Sequence, residues 1–235
     1  MCAHQLVTST NLNMKNLYKI ILPLLLLVNI GCEKGDEHYY NYNTEAPVYD
    51  GTIYEYLQSQ TGVYDSLLLV LDRLPDLRSK LRNADSSYTL FAVTNRSFDI
   101  ALEALNTTRS LTGRPNLYLE DVGLVDLDSM TNRYVIMEEF DTEQLSPFID
   151  GQLVTSTKNN YKMHIQYRVL DASGFVGGGQ QQLIFSDTNN SIFQRYWQRV
   201  NTSVVNVRTK NGIVHILSAG HDFGFSKFTS KYSTQ

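Results

Sequence analysis

The chain of 235 residues has few cysteines, prolines and tryptophans: two, five and one. Two cysteines exclude a disulfide scaffold and a cysteine-rich zinc site. No long basic run appears, and the net charge is −4. A nucleic-acid partner calls for a positive footprint, so that class is disfavoured. No apolar run reaches the ~20 residues that a membrane-crossing helix needs. His164, His215 and His221 stand at neither H-x-x-x-H nor H-x-H spacing with a carboxylate partner, so no metal site is expected. The triplet Gly177-Gly178-Gly179 lacks the Gly-Lys-Ser/Thr of a phosphate loop, and no serine sits in a nucleophile elbow. Asp222-Phe223-Gly224 spells a kinase triplet, but the other kinase elements are missing. The sequence therefore offers no catalytic residue, and no cofactor is expected.

What is present is a core-forming composition, 42% hydrophobic, with 15 tyrosines and 10 phenylalanines. Tyrosine at this level suits half-exposed sheet faces and contact surfaces.

The amino-terminal segment reads as an address. Lys15 and Lys19 precede an apolar run from Ile20 to Ile30, too short to span a bilayer and fitting a signal-peptide core. Met14 makes a better start than Met1, because the first thirteen residues would displace the charged region from the terminus. Asn29-Ile30-Gly31-Cys32 then resembles the lipobox of bacterial lipoproteins, which implies lipidation of Cys32 as the first mature residue. Asn29 departs from the usual aliphatic residue. The competing reading is a plain secretory signal over residues 1–31. Removing that segment takes away two lysines and no acid, leaving 18 basic against 24 acidic residues and a net charge of −6. Cys32 would then be the sole cysteine. Glu33-Lys34-Gly35-Asp36-Glu37 is similar to the surface-export signal of Bacteroidetes lipoproteins, or is simply a solvated tether. Residues 32–50, rich in Tyr and Asn, are expected to be a flexible linker.

The body opens with helical patterns. Ile53, Tyr54 and Leu57 mark one piece; Leu67, Leu68, Val70, Leu71 and Leu74 mark a second, stopped by Pro75; Leu77 and Leu81 mark a third. Tyr88 to Phe98 is the stretch around which the body is organised. Tyr88–Ala92 is apolar on both faces, as a doubly buried strand should be. Thr94 and Asn95 offer oxygens to cap a starting helix. Phe98, Ala101, Leu102 and Leu105 give that helix an inward stripe as far as about Asn106. Arg133–Met137, Gln152–Thr155 and Met163–Leu170 read as strands. Gln180-Gln181-Gln182, with the glycine triplet, reads as a mobile polar loop. Glu138, Glu139 and Asp141 read as a solvated turn or helix start. Asn211-Gly212 between two alternating apolar runs is a hairpin signal, since both turn positions accept positive φ. His215 alternates with Val214 and Ile216 and reads as a structural histidine bonded near the Tyr88–Phe98 corner, with a ligand role as the alternative. After His221 the tail is expected to form a final strand or to be loosely ordered.

Thr-Leu-Phe-Ala-x-Thr-Asn-x-x-Phe (residues 89–98) resembles the first signature of the fasciclin-like (FAS1) domain, with Val93 at the usual proline. Val205 to Leu217, carrying Asn211-Gly212 and Val214-His215-Ile216, resembles the second. The Tyr-His pair of the family is here Tyr134-Val135. The resemblance implies one α+β domain over residues 51–222, a wedge of two small β-sheets with several helices along one side, carrying insertions at 107–132 and 171–200. Residues 223–235 would be a tail. It also implies a non-enzymatic adhesion or extracellular ligand-binding module, held at the outer membrane through Cys32 and facing an extracellular protein or glycan. A different class is an accessory glycan-binding component of a surface polysaccharide-uptake system, whose mark would be an exposed cluster of Tyr or Trp197.

Overall fold

The computed structural model describes residues 46–172, 174 and 176–234. The signal peptide, Cys32 and most of the expected tether lie outside the described residues. None of the described helices is long and apolar enough to cross a membrane.

Three helices begin the body: α1 (Ile53–Ser59), α2 (Asp65–Arg73) and α3 (Pro75–Arg82). Thr52 and Glu55 form a capping box on α1. The Thr52 hydroxyl accepts the Glu55 N–H at 3.3 Å, and the Glu55 carboxylate accepts the Thr52 N–H at 2.8 Å. Pro75 both stops α2 and starts α3, where a missing N–H leaves no donor unsatisfied. Next in the chain are β1 (Tyr88–Ala92), α4 (Asn95–Leu111), α5 (Leu124–Thr131), β2 (Val135–Met137), α6 (Thr142–Leu145), β3 (Gln152–Thr155), β4 (Lys162–Val169), β5 (Gln181–Asp187), β6 (Gln198–Thr209), β7 (Gly212–Leu217) and α7 (Lys227–Tyr232).

The strands form one mixed sheet in the order β2-β1-β7-β6-β5-β4-β3, in which only β1 and β7 run parallel. The sheet curls until its edges meet. Ile136 bridges Ser156, and the Thr157 N–H reaches the Val135 carbonyl at 3.0 Å. The expected pair of separate small sheets is thus replaced by one nearly closed sheet. The reason is β6, whose 12 residues run through both halves. Its pairing with β7 shifts register between Thr202 and Val207, and Asn206 there takes φ +62. Such bulges bend a strand and increase its twist. Inside the curl, Phe91 of β1 stacks on Phe185 of β5 with ring centroids 3.8 Å apart. Tyr134 and Phe225 pack against the same column. Outside it, Leu67, Val70 and Leu71 of α2, Leu77 and Leu81 of α3, and Phe98, Ala101 and Leu105 of α4 are buried.

Several expectations need correction. The tail is neither strand nor loose: Phe223, Phe225, Phe228 and Tyr232 are core residues, and α7 packs on α4. Phe228 and Tyr232 stand at i, i+4 on one face of α7, while Phe225 lies in the turn before it at φ +53. Gln181 and Gln182 belong to β5, where Gln182 pairs with Arg168 and donates to the Thr202 carbonyl at 3.0 Å. Gln182 sits on the outer face, and Gln181, on the inner side, accepts from the Thr142 hydroxyl at 2.9 Å, so their polarity does not argue against a strand. α4 continues past Asn106 to Leu111, and only Val135–Met137 of the 133–137 segment is strand. The end of the expected linker is also paired. The Arg208 N–H donates to the Pro47 carbonyl and the Tyr49 N–H to the Arg208 carbonyl, both at 2.8 Å, so this stretch extends the sheet beside the second half of β6.

Candidate functional site

Asn95 and Asn211 are joints between elements. Thr94 occupies the position before α4, but its hydroxyl makes no capping bond and is buried without a partner among the described residues. The expected cap is therefore absent. Asn95 caps a different helix. Its Oδ1 accepts the Ser66 N–H at 2.8 Å, and its Nδ2 donates to the Gly62 carbonyl at 3.0 Å. The residue preceding α2, Tyr64, supplies no side-chain acceptor, so Asn95 satisfies a donor that α2 leaves free. Asn211 does the same for two helices. Its Oδ1 accepts the Ile53 N–H at 2.7 Å, and its Nδ2 donates to the carbonyls of Leu81 and Asn83 at 3.0 and 2.9 Å. Gly212 alone has positive φ in this hairpin, +147, and packs against the Tyr88 carbonyl.

His215 is fully buried, with a ring centroid 5.2 Å from that of Phe91. Its Nδ1 accepts the Asn206 N–H at 3.1 Å, which leaves the proton on Nε2 to donate to the Phe140 carbonyl at 2.8 Å. Burial pushes its pKa down to about 4, against the pull of the Phe140 carbonyl and Asp141. Tyr134 joins the tail in a comparable way. Its hydroxyl lies 2.7 Å from His221 Nε2 and accepts the Gly224 N–H at 2.8 Å. Burial lowers His221 to about 4. The kinase-like triplet is thus a turn, with Phe223 in the core and Asp222 accepting the Ser226 N–H at 2.7 Å.

A further cluster was not legible in the sequence. The Asp187 carboxylate is fully covered and accepts from Tyr161 at 2.6 Å and from Arg133 and Lys227 at 2.9 Å each. The Arg133 guanidinium lies 4.5 Å from the Tyr161 ring centroid. Burial pushes the carboxyl pKa up, but the bonds from Tyr161, Lys227 and the Asn189 N–H outweigh it and hold it below the ordinary range. The cluster locks α7 onto the ends of β4 and β5. These groups make internal bonds, and His215 and His221 are buried. No group of three or more potential metal ligands gathers among the described residues.

One surface open to contact is the outer face of β3–β6 and the loop beside it. Cross-strand pairing places Leu153, His164, Ser186 and Arg199 in one row, and Gln166, Ile184 and Asn201 in the next. The 188–197 loop stands at one end. It turns through Asn189 and Asn190, both at φ +53, and is braced by Asn189 Nδ2 to the Tyr196 carbonyl at 2.6 Å and Trp197 Nε1 to the Ser191 carbonyl at 2.8 Å. The loop presents Ile192, Phe193 and Tyr196, the two rings 55% and 53% exposed and packed edge to face. Arg195 lies over both rings, 5.3 and 4.7 Å from their centroids. Trp197 packs on His164 at 4.8 Å, and His164 Nε2 lies 2.9 Å from the Asp150 carbonyl, so exposed Phe148 and Ile149 adjoin the same face. Sequence reasoning singled out Trp197 but missed Phe193 and Tyr196. The dense aromatics between 193 and 197 were the available signal.

No family model and no curated protein sequence matches the chain. Among solved structures, the chain is similar to a FAS1 domain pair from the insect cell adhesion molecule fasciclin I. The match has a TM-score of 0.49 and 12% identity, and it covers 71% of this chain. It covers 49% of that chain, so this protein spans about half the length of the structure it matches.

Proposed function

We propose that this protein is a FAS1-type, non-enzymatic adhesion or extracellular ligand-binding module, displayed at the cell envelope by a lipid on Cys32. The two sequence signatures support the FAS1 reading: Asn95, Asn211, Gly212 and His215 do framework work, as a family-defining set would. One observation carries the binding reading. The exposed aromatic loop, with Phe193 and Tyr196, is held in place by its own hydrogen bonds. Preordered, exposed large apolar side chains are a usual mark of a contact surface. The test is cell adhesion to coated extracellular-matrix proteins, comparing the full chain with a Phe193→Ala/Tyr196→Ala variant. Loss of adhesion at unchanged melting temperature supports the reading, and undiminished adhesion sinks it. Incorporation of labelled palmitate that persists in Cys32→Ala would refute the anchor.

The second reading is an accessory glycan-binding component of a polysaccharide-uptake system. It is favoured by the aromatic cluster around Trp197, since sugar rings pack on exposed aromatic faces. A glycan array separates the two: matrix binding without any glycan hit rejects this one.

A further inference from the structure

The outer face of β3–β6 differs in charge from the rest of the molecule. The chain as a whole is acidic, at −4. Yet the outward positions of these strands carry Lys162, Arg168 and Arg199 and no carboxylate. Arg195 adds a fourth cation from the loop. The ion pairs among the described residues engage Arg78, Arg133, Lys158, Arg208, Lys210, Lys227 and Lys231, and none of these four. Their contacts are neutral: Lys162 donates to the Thr155 hydroxyl at 2.6 Å, Arg199 to Gln194 at 3.1 Å, and Arg195 lies over two rings. The acids nearest in the chain are Asp150, before β3, Asp171, whose carboxylate accepts the Gly177 N–H at 3.0 Å, and Asp187, which is buried on the inner side of β5 and engaged by Arg133, Lys227 and Tyr161. Between the cations lie the amides of Gln166, Gln182 and Asn201, at half-buried and exposed positions. Gln182 and Gln166 already donate one N–H each to a carbonyl, which orients their oxygens.

We propose that this face binds an acidic glycan, a polysaccharide bearing carboxylate or sulfate groups. This deepens the extracellular-binding reading above and rests on it. Unpaired arginines supply the charge complement, and the planar guanidinium takes a carboxylate or sulfate through two parallel bonds. Side-chain amides and the outward hydroxyls of Thr155 and Ser203 match the alternating donors and acceptors of a sugar chain. The rings of Tyr196 and Phe193 offer apolar faces for a sugar at one end. An acidic peptide would need less of the amide array.

The test uses the full chain against immobilised heparin and polygalacturonate, with dextran as the neutral polysaccharide and single-stranded DNA as a non-sugar polyanion. The expected result is binding to one or both acidic polysaccharides that weakens as salt rises. Arg168→Gln/Arg195→Gln/Arg199→Gln should weaken it about tenfold with an unchanged melting temperature, and Arg78→Gln should leave it unchanged. Tyr196→Ala should also weaken it. Equal binding to single-stranded DNA, lost in the same triple variant, would overturn the inference by making the face a generic anion surface. Dextran bound as tightly would also overturn it, while leaving a glycan role in place. Adhesion to matrix proteins with no polysaccharide bound would overturn this inference and leave the proposed function standing. Failure in both assays would remove both.

Discussion

The imidazole of His215 takes the backbone N–H of Asn206 on one nitrogen and gives its proton to the Phe140 carbonyl from the other. The Asn206 side chain continues the link, with its Oδ1 accepting the Thr142 N–H at 3.1 Å. A bulge in β6, a buried ring on β7 and the start of α6 are thereby one unit. His215→Ala should destabilise the fold by about 3 kcal/mol, through the cavity and the two unpaired backbone groups. Urea unfolding measures this, and a change below ~1 kcal/mol would show that the groups find other partners.

Acid should unfold the protein earlier than a chain with exposed histidines. His215 and His221 are held neutral, with pKa values near 4 against an ordinary 6.5. The unfolded chain binds protons from about pH 6.5 downward while the fold does not, so stability is complete above that pH and falls as pH drops towards 4. At most ~3 kcal/mol per histidine is involved, each tenfold step in proton affinity being about 1.4 kcal/mol. Asp187, depressed in the fold, adds a loss of the same sign below the ordinary carboxylate range. Urea midpoints at pH 7.5 and 4.5 should differ accordingly, and His215→Gln should flatten the difference. Equal midpoints at the two pH values would contradict it.

Gly212 admits no side chain. A Cβ there would stand 1.9 Å from the Tyr88 carbonyl oxygen, at φ +147. Gly212→Ala should push β1 from β7 and cost on the order of 3 kcal/mol or more. The readout is the melting temperature, and a near-normal value would mean that the hairpin can shift without loss.

Asn211 offers a cleaner comparison. Asn211→Ala strands the Ile53 N–H and two carbonyls, an expected loss of about 2–4 kcal/mol. Asn211→Asp keeps the acceptor for Ile53 but sets negative charge against the Leu81 and Asn83 carbonyls, so it should also destabilise. An Asp variant as stable as wild type would show that the Nδ2 bonds are dispensable.

These residues also show how far the sequence could be read. The strand-to-helix corner at 88–98 and the hairpin at 211–212 were legible because their signals are local: an apolar run and a turn residue. Asn95 and Asn211 were visible as polar residues at element ends, but their partners lie 29 and 158 positions away, and no local pattern names them. The Thr94 cap failed because propensity names a residue type, whereas the tertiary arrangement decides which side chain reaches which N–H. β5 was hidden because it opens on two glutamines that continue a glycine- and glutamine-rich run, and only Leu183 to Phe185 carries an apolar strand signal. In the tail only Phe228 and Tyr232, at i, i+4, carry a helical signal, and Phe225 enters the core from a turn that no periodicity marks. Of the candidate contact face, Trp197 was legible. Its juxtaposition with His164 and the 148–150 turn depends on strand register.

Truncation tests the role of the tail. Phe228→Ala, at a fully buried position, should cost about 3–5 kcal/mol. Removing residues 223–235 should abolish cooperative unfolding, monitored by circular dichroism. A folded truncated chain would show that α7 is an accessory.

The closure of the sheet bears on how any partner can be recognised. An open sheet edge offers a row of unpaired backbone groups, onto which a foreign strand can be laid with little regard to its sequence. Here the two edge strands are three and four residues long and are bridged to each other, and Pro47–Tyr49 covers part of β6. Little backbone is left to template another chain. Selectivity therefore falls to side chains, which can be exchanged one at a time without refolding the scaffold, and crowded copies of the molecule have little tendency to polymerise through their strands.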